Sequence, residues 1–193
     1  LPRDPRRPQP RREDEISGKT LLIVGLGRIG SRLAALARGF GMRVIATKRD
    51  PAAAAGAADL VATNDRLLEL LPQADFVALT CPLTPQTELL FGAAAFAAMK
   101  PSAFLVNVAR GRVVDEPALI RALEEQRIAG AALDCFWEEP LPEDSPLWAL
   151  PNALITPHSA GETRRYEDNV IDLLLENLDR LWRGERELKN QVV

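Results

Sequence analysis

The sequence predicts an α/β chain whose parallel sheet is doubly wound, with helices on both faces. Two observations carry that prediction. Short continuous apolar runs recur along the chain and alternate with segments of helical spacing, the pattern of parallel strands buried on both sides and joined by crossover helices. The first run, Thr20–Val24 (TLLIV), leads directly into Gly25-Leu26-Gly27-Arg28-Ile29-Gly30, and that turn opens a helical segment. A strand, a GxGxxG turn and a helix in that order make the sheet Rossmann-type.

Each element follows in turn. Apolar residues at Ile29, Leu33, Leu36 and Phe40 recur at helical spacing and predict a helix over 29–40. Arg43–Thr47 is a second strand. A short helix is expected over 65–71, capped by Asn64 or Asp65 and stopped by Pro72. Phe76–Leu79 and 104–108 are further strands. Asp115 can cap a helix that carries Pro117 in its first turn and runs to about Gln126. Strands at 131–133 and Ala153–Ile155 complete the set. A last helix is expected over 162–183, ending at Gly184. Its apolar positions Val170, Leu173, Leu174, Leu178 and Leu181 form one broad stripe. The alanine run at 52–55 reads as a loop or short helix. The three tryptophans, Trp137, Trp148 and Trp182, read as packing residues.

Composition narrows the class. The chain has 193 residues, 47% hydrophobic and 26% charged, with a net charge of −3. This balance suits an ordinary globular domain and offers no basic surface for nucleic acid. No apolar run approaches the ~20 residues of a membrane span. Cys81 and Cys135 are too few and too far apart for a disulfide framework, which fits a reducing, cytoplasmic setting and small core roles for both. One histidine and two distant cysteines make no zinc ligand set. Residues 1–12 carry five arginines and four prolines. They read as a solvated linker or strap rather than an anion-binding arm, because proline prevents regular structure. The expected organisation is a linker over 1–17, a dinucleotide-binding domain over 18–161, and a helix with its tail over 162–193.

The glycine turn implies a dinucleotide. Gly25 permits the tight turn, Gly27 lets backbone approach a pyrophosphate, and Gly30 lets helix and strand pack closely. The helix start offers free N–H groups and a positive dipole end to the phosphates. An NAD site commonly places an acid at the end of the second strand, where it binds the ribose 2′-hydroxyl. Here that place falls on Lys48, with Arg49 beside it. Two cations would attract a 2′-phosphate, which favours NADP(H) over NAD(H). The competing reading makes both cations loop residues and lets Asp50 reach the ribose.

Three more segments leave strand ends. Phe104-Leu-Val-Asn-Val-Ala-Arg110-Gly111 puts a guanidinium where it could grip a carboxylate in two parallel hydrogen bonds. Arg110 could instead pair with Asp115 or Glu116. Asp134-Cys-Phe-Trp-Glu-Glu139-Pro140 and Thr156-Pro-His158-Ser-Ala-Gly161 leave the next two strands. Carbonyl reduction needs an acid that titrates near neutrality, and a carboxylate partner raises and orients a histidine for that task.

With these segments in order, the chain resembles the D-isomer-specific 2-hydroxyacid dehydrogenase family from Gly18 to Val193. The resemblance rests on GLGRIG, CPLTPQT (81–87), VNVARGRVVDE, GAALDCFWEEPLP and LITPHSAGET. It implies hydride transfer between a nicotinamide and C2 of a small 2-oxo or 2-hydroxy acid of glyoxylate or hydroxypyruvate type. It also implies residue roles. Arg110 would bind the substrate carboxylate, His158 would exchange the proton at the C2 oxygen, and Glu139, just before Pro140, would orient His158. Asp134 would meet the nicotinamide carboxamide. Arg28, Ile29, Cys81, Pro82, Thr87, Val108, Ala109, Ala160 and Gly161 would line the cofactor.

The same resemblance carries three further expectations. Family members hold a substrate domain ahead of this one, so the chain is expected to be a piece that binds cofactor with little turnover of its own. The final helix would then expose apolar surface. Family members also pair through the cofactor domain, so a homodimer is expected, with the helix at 29–40 and the segment GAAAFAAMKP as candidate surfaces. A reading from another class is a nucleotide-sensing interaction module, like corepressors of the same superfamily.

Overall fold

A computed structural model describes residues 14–54 and 56–191; most of the proline-rich segment lies outside them. The chain divides into two compact units, Leu1–Pro157 and His158–Val193.

The first unit is built on a seven-stranded sheet, all parallel, in the order β3-β2-β1-β4-β5-β6-β7. The strands are β1 (Thr20–Val24), β2 (Arg43–Thr47), β3 (Leu60–Ala62), β4 (Phe76–Leu79), β5 (Phe104–Asn107), β6 (Gly130–Leu133) and β7 (Ala153–Ile155). The order reverses between β1 and β4, and the crevice at such a reversal is where ligands of open α/β sheets bind. Every residue of β1 is buried. Its side chains alternate between two cores: Leu21 and Ile23 on one face, Leu22 and Val24 on the other.

On the first face lies α1 (Arg28–Gly39). Its buried residues are Gly30, Ala34 and Ala37, while Ile29, Leu36 and Phe40 are 64%, 50% and 63% exposed. The helix stands where the spacing placed it, with small residues toward the sheet, and Gly30 gives the reason. A Cβ there would stand 2.5 Å from the Gly25 carbonyl and 3.0 Å from Ile23 Cγ2. The helix therefore lies so close to β1 that only small residues fit between them.

The opposite face takes α2 (Leu67–Leu70), α3 (Ala93–Ala98) and α4 (Glu116–Glu124). Asp115 caps α4 as expected, accepting from the Ala118 N–H at 3.1 Å. The expected helix over 65–71 is instead a 3-10 turn (Asn64–Arg66), the single turn of α2 and a second 3-10 turn (Leu71–Gln73). Neither Asn64 nor Asp65 caps it, and Pro72 sits inside the first turn of the last piece rather than stopping it. The alanine run starts as a 3-10 turn, Ala52–Ala54. Strand β3 and helix α3 had no periodic signal: one has three residues, and the other is five alanines and Phe96. The buried side of α3 is Ala95 and Phe96, with Met99 just beyond. Its other side, Ala93, Ala94 and Ala97, is exposed.

The second unit holds α5 (Tyr166–Trp182), which starts four residues later than expected. Val170, Leu174, Leu178 and Leu181 of the expected stripe are all at least half exposed. Gly184, at φ +75°, closes the helix, with Glu185 N–H bonded to the Arg180 carbonyl at 3.0 Å. Glu176 pairs with both Arg180 and Lys189 and ties the tail to the helix. Trp182 is 92% exposed and Trp148 55%, so neither is the packing residue expected. Among the described residues no helix is long and apolar enough to cross a membrane.

Candidate functional site

The glycine turn lies between β1 and α1. Gly25 has φ +100°, and a Cβ on it would meet the Cys81 backbone at 2.6 Å. The turn and the segment after β4 are therefore pressed together. Gly27 differs: a Cβ there meets nothing within 4 Å. It is also the N-cap of α1, and no side chain caps that end. The result is an open cradle with uncapped helix N–H groups beneath it, which fits a pyrophosphate. Arg28 and Ile29 stand exposed on its rim.

The end of β2 borders the same cradle, since Gly25 and Leu26 N–H both donate to the Thr47 carbonyl. Thr47 is fully buried, and its hydroxyl has no hydrogen-bond partner. Lys48 is half-buried and Arg49 exposed, and no ion pair engages either among the described residues. Asp50, exposed, accepts the Ala52 N–H at 3.2 Å through one of its two carboxylate oxygens. After β4, Cys81 is buried and Pro82 exposed. The Thr87 hydroxyl donates to the Pro82 carbonyl at 2.6 Å and accepts the Thr84 N–H at 2.8 Å. Thr87 therefore shapes the loop, and its hydroxyl is occupied within it.

Arg110 follows β5 after Val108 and Ala109, and it is exposed. Its Nη1 donates to the Ala109 carbonyl at 2.6 Å. The acids that might have neutralised it are engaged elsewhere: Asp115 caps α4, and Glu116 accepts the Trp137 N–H at 3.1 Å. After β6, Asp134 is 5% exposed and accepts from the Thr156 hydroxyl at 2.6 Å. Glu139 accepts the Phe136 N–H at 2.9 Å. Burial pushes the neighbouring Cys135 thiol up to about 12, helped by the Glu139 and Asp134 charges, and burial also raises Cys81. Both are core thiols rather than nucleophiles.

The first unit thus brings the glycine turn, Lys48, Arg49, Cys81, Pro82, Val108, Ala109, Arg110, Asp134 and Glu139 to the carboxyl ends of its strands. His158, Ala160 and Gly161 belong to the second unit. His158 is exposed and sits at φ +53°, a left-handed conformation uncommon outside glycine. A cavity of about 400 Å³ opens at the other end of the sheet, lined by Leu123, Ile128, Pro151 and Asn152 among others. None of the motif residues lines it.

Three residues to which the sequence analysis gave no part in aiming the others shape the site. Asn107 is 1% exposed; its side chain accepts the Ala109 N–H at 3.0 Å and donates to the Arg110 carbonyl at 3.2 Å. It sets the turn that presents Arg110, and a lone amide closing a buried strand was the available signal. Thr156 holds Asp134, and Glu116 holds Trp137. Nothing in their spacing marks either one. Among the described residues, no group of three or more His, Cys, Asp or Glu could hold a metal ion.

Comparison with known proteins agrees with the fold. Residues 3–160 match the model of the D-isomer specific 2-hydroxyacid dehydrogenase, NAD binding domain. The chain is 46% identical over 177 residues to glyoxylate/hydroxypyruvate reductase B of Escherichia fergusonii, covering 86% of this chain and 54% of that protein. A D-isomer specific 2-hydroxyacid dehydrogenase of Xanthobacter autotrophicus, solved with NADPH and MES, superimposes with a TM-score of 0.83 at 37% identity. That match covers 91% of this chain and 71% of the solved one. The NAD-complexed enzyme of Lactobacillus delbrueckii gives 0.79 at 33% identity, covering 93% and 57%. The chain spans about half the length of the curated relatives it matches. The chain belongs to the D-isomer specific 2-hydroxyacid dehydrogenase family and comprises that family's NAD-binding domain.

Proposed function

We propose that this chain is the cofactor-binding part of an oxidoreductase that moves hydride between NADP(H) and C2 of a small 2-oxo or 2-hydroxy acid of glyoxylate or hydroxypyruvate type. The observation that carries the reading is the convergence of the open Gly27 cradle with Arg110, Asp134 and Glu139 at adjacent strand ends. When bound, the nicotinamide supplies the hydride. The chain's own residues do the rest. Arg110, free of any carboxylate partner among the described residues, binds the substrate carboxylate and polarises the C2 oxygen. His158 gives the proton to that oxygen in reduction and removes it in oxidation, and Glu139 orients the ring and stabilises its charged form. Asp134, held by Thr156, receives the carboxamide. Val108, Ala109, Cys81, Pro82, Ala160 and Gly161 line the cofactor through backbone. The opposite wall of the substrate cleft is assigned to sequence that the relatives have and this chain does not span, so the chain alone binds cofactor and turns over slowly.

NADP(H) is favoured because Lys48 and Arg49 have no ion pairs among the described residues, while Asp50 already accepts the Ala52 N–H. The exposed Ile29, Leu36 and Phe40 of α1 favour a homodimer through this domain, and two unpaired cysteines suit the cytoplasm. We further assign 1–17 to a strap, 18–161 to the cofactor fold, and 162–193 to a segment serving the substrate side.

Parallel titration of the chain with NADPH and NADH, followed by tryptophan quenching, tests the reading. NADPH should bind about tenfold tighter, a difference of ~1.4 kcal/mol, and the double variant K48A/R49A should erase the preference. Equal affinities would return the two cations to the solvent, and binding of neither cofactor would sink the oxidoreductase reading.

A further inference from the structure

Glu139 stands on the loop that follows β6, and that loop is fastened to the segment beginning at Arg110. Gly111 makes the first contact: a Cβ on it would overlap the Phe136 carbonyl and stand 2.6 Å from the Trp137 nitrogen. Trp137 makes the next two. Its indole N–H donates to the Val114 carbonyl at 2.7 Å, and its backbone N–H donates to Glu116 Oε2 at 3.1 Å. The Arg112 guanidinium lies 5.7 Å from the centre of the same indole ring. One residue earlier, the Phe136 N–H donates to Glu139 Oε1 at 2.9 Å.

Two consecutive N–H groups thus serve two different carboxylates. Glu116 is the rigid one, because it sits in the first turn of α4 beside the Asp115 cap, where the helix end also favours its charge. Its bond fixes the peptide plane between Phe136 and Trp137. The Phe136 N–H lies in the preceding plane, joined to this one through the Phe136 Cα, so with the loop packed against Gly111 the anchored plane restrains the direction in which that N–H points. If the Trp137 amide swings away, the donor that holds Glu139 swings with it.

We infer that Glu116 is a positioning residue for Glu139: it anchors the Trp137 amide so that the neighbouring Phe136 amide holds the Glu139 carboxylate. Arg110 opens the same segment, so one brace sets the spacing between the carboxylate anchor and the acid that orients the histidine. This rests on the functional role proposed above for Glu139, although the brace itself is tested without any reaction.

The test is amide exchange with 1H–15N spectra on the full 193-residue chain. In Glu116→Ala, exchange at Phe136 and Trp137 should quicken by about tenfold or more, while the amides of β6 keep their protection. Glu116→Gln, whose amide oxygen can still accept, should return both to within about threefold of the parent. Glu116→Asp keeps the charge, is one methylene too short, and should behave like alanine; it also serves if the alanine variant does not fold. The Phe136 amide shift should follow a carboxylate titration in the parent and lose it in both Glu139→Gln and Glu116→Asp. A Phe136 amide indifferent to Glu116→Ala or Glu116→Asp would overturn the inference. So would failure of glutamine to rescue, or a loosening of all β6 amides alike. A chain that bound neither NADPH nor NADH would instead sink the oxidoreductase reading and leave these exchange rates legible.

Discussion

Gly27→Ala separates fold from ligand more cleanly than any other change in the glycine turn. Gly27 has φ −91° and ψ −156°, an extended conformation open to any residue, and its added Cβ would touch no protein atom within 4 Å. The cost to folding is then only the poorer N-cap, ~0.5–1 kcal/mol. For a domain of this size that lowers Tm by roughly 1–4 °C. Against a cofactor the same methyl is expensive, because it fills the space through which a pyrophosphate approaches the helix N–H groups. Affinity should fall by about tenfold to a hundredfold, ~1.4–2.7 kcal/mol. Gly30→Ala inverts the ratio: its Cβ stands 2.5 Å from the Gly25 carbonyl, so the helix must shift, at ~1–3 kcal/mol. Thermal melts by circular dichroism and NADPH titrations on both variants read the two effects. Unchanged NADPH affinity in Gly27→Ala would mean that no cofactor lies against that backbone, and the cradle argument would fail. A drop in Tm of ten degrees would mean that protein, not ligand, occupies the space.

Asp75 offers a pH test of the sheet's other end. Burial opposes its charge, but the Lys100 ammonium at 2.8 Å, the Thr20 N–H at 2.8 Å and the Lys19 charge outweigh that and hold its carboxyl below the usual range. Because its folded pKa is depressed, its stabilisation is complete above the unfolded value near 4 and is lost as pH falls through the folded one. Asp75→Asn should cost ~1–2 kcal/mol in urea melts at pH 7 and progressively less below pH 4; a difference constant from pH 7 to 3 would refute it. Core position decides a second contrast. Leu105 is 0% and Leu154 65% exposed, so Leu105→Ala should cost ~2–5 kcal/mol and Leu154→Ala under ~1 kcal/mol by the same melts. Cys81 and Cys135, buried and shifted upward, should resist maleimide at pH 7.5 in the native chain and react in denaturant. Fast native labelling of either would show that its surroundings open.

What the sequence disclosed followed the strength of local rules. Six of the seven strands were legible as short continuous apolar runs, even β7, whose Leu154 is 65% exposed, and the glycine turn was legible because its three positions answer three separate steric demands. Strand β3 was not, since three residues at a sheet edge carry no period. Which side of α1 faces the sheet was not legible, for a reason that the turn itself contains. Apolar spacing marks a helix without saying which side faces the sheet, and Gly30 brings the backbone so near β1 that Ala34 and Ala37 pack there while larger residues face outward. The same division runs through the site. Arg110 could be singled out beside Gly111 after a strand end, while Asp134 and Glu139 took their roles from the family resemblance. Asn107, Thr156 and Glu116 act on those three through bonds that span up to 22 residues of chain, and that kind of pairing has no spacing to read. Motif residues announce what a site can do; the side chains that aim them become visible only when non-adjacent turns are laid against one another. The candidate chemistry of this chain was therefore legible well before its geometry, and variants at the aiming residues are the ones that sequence reasoning alone would not have chosen.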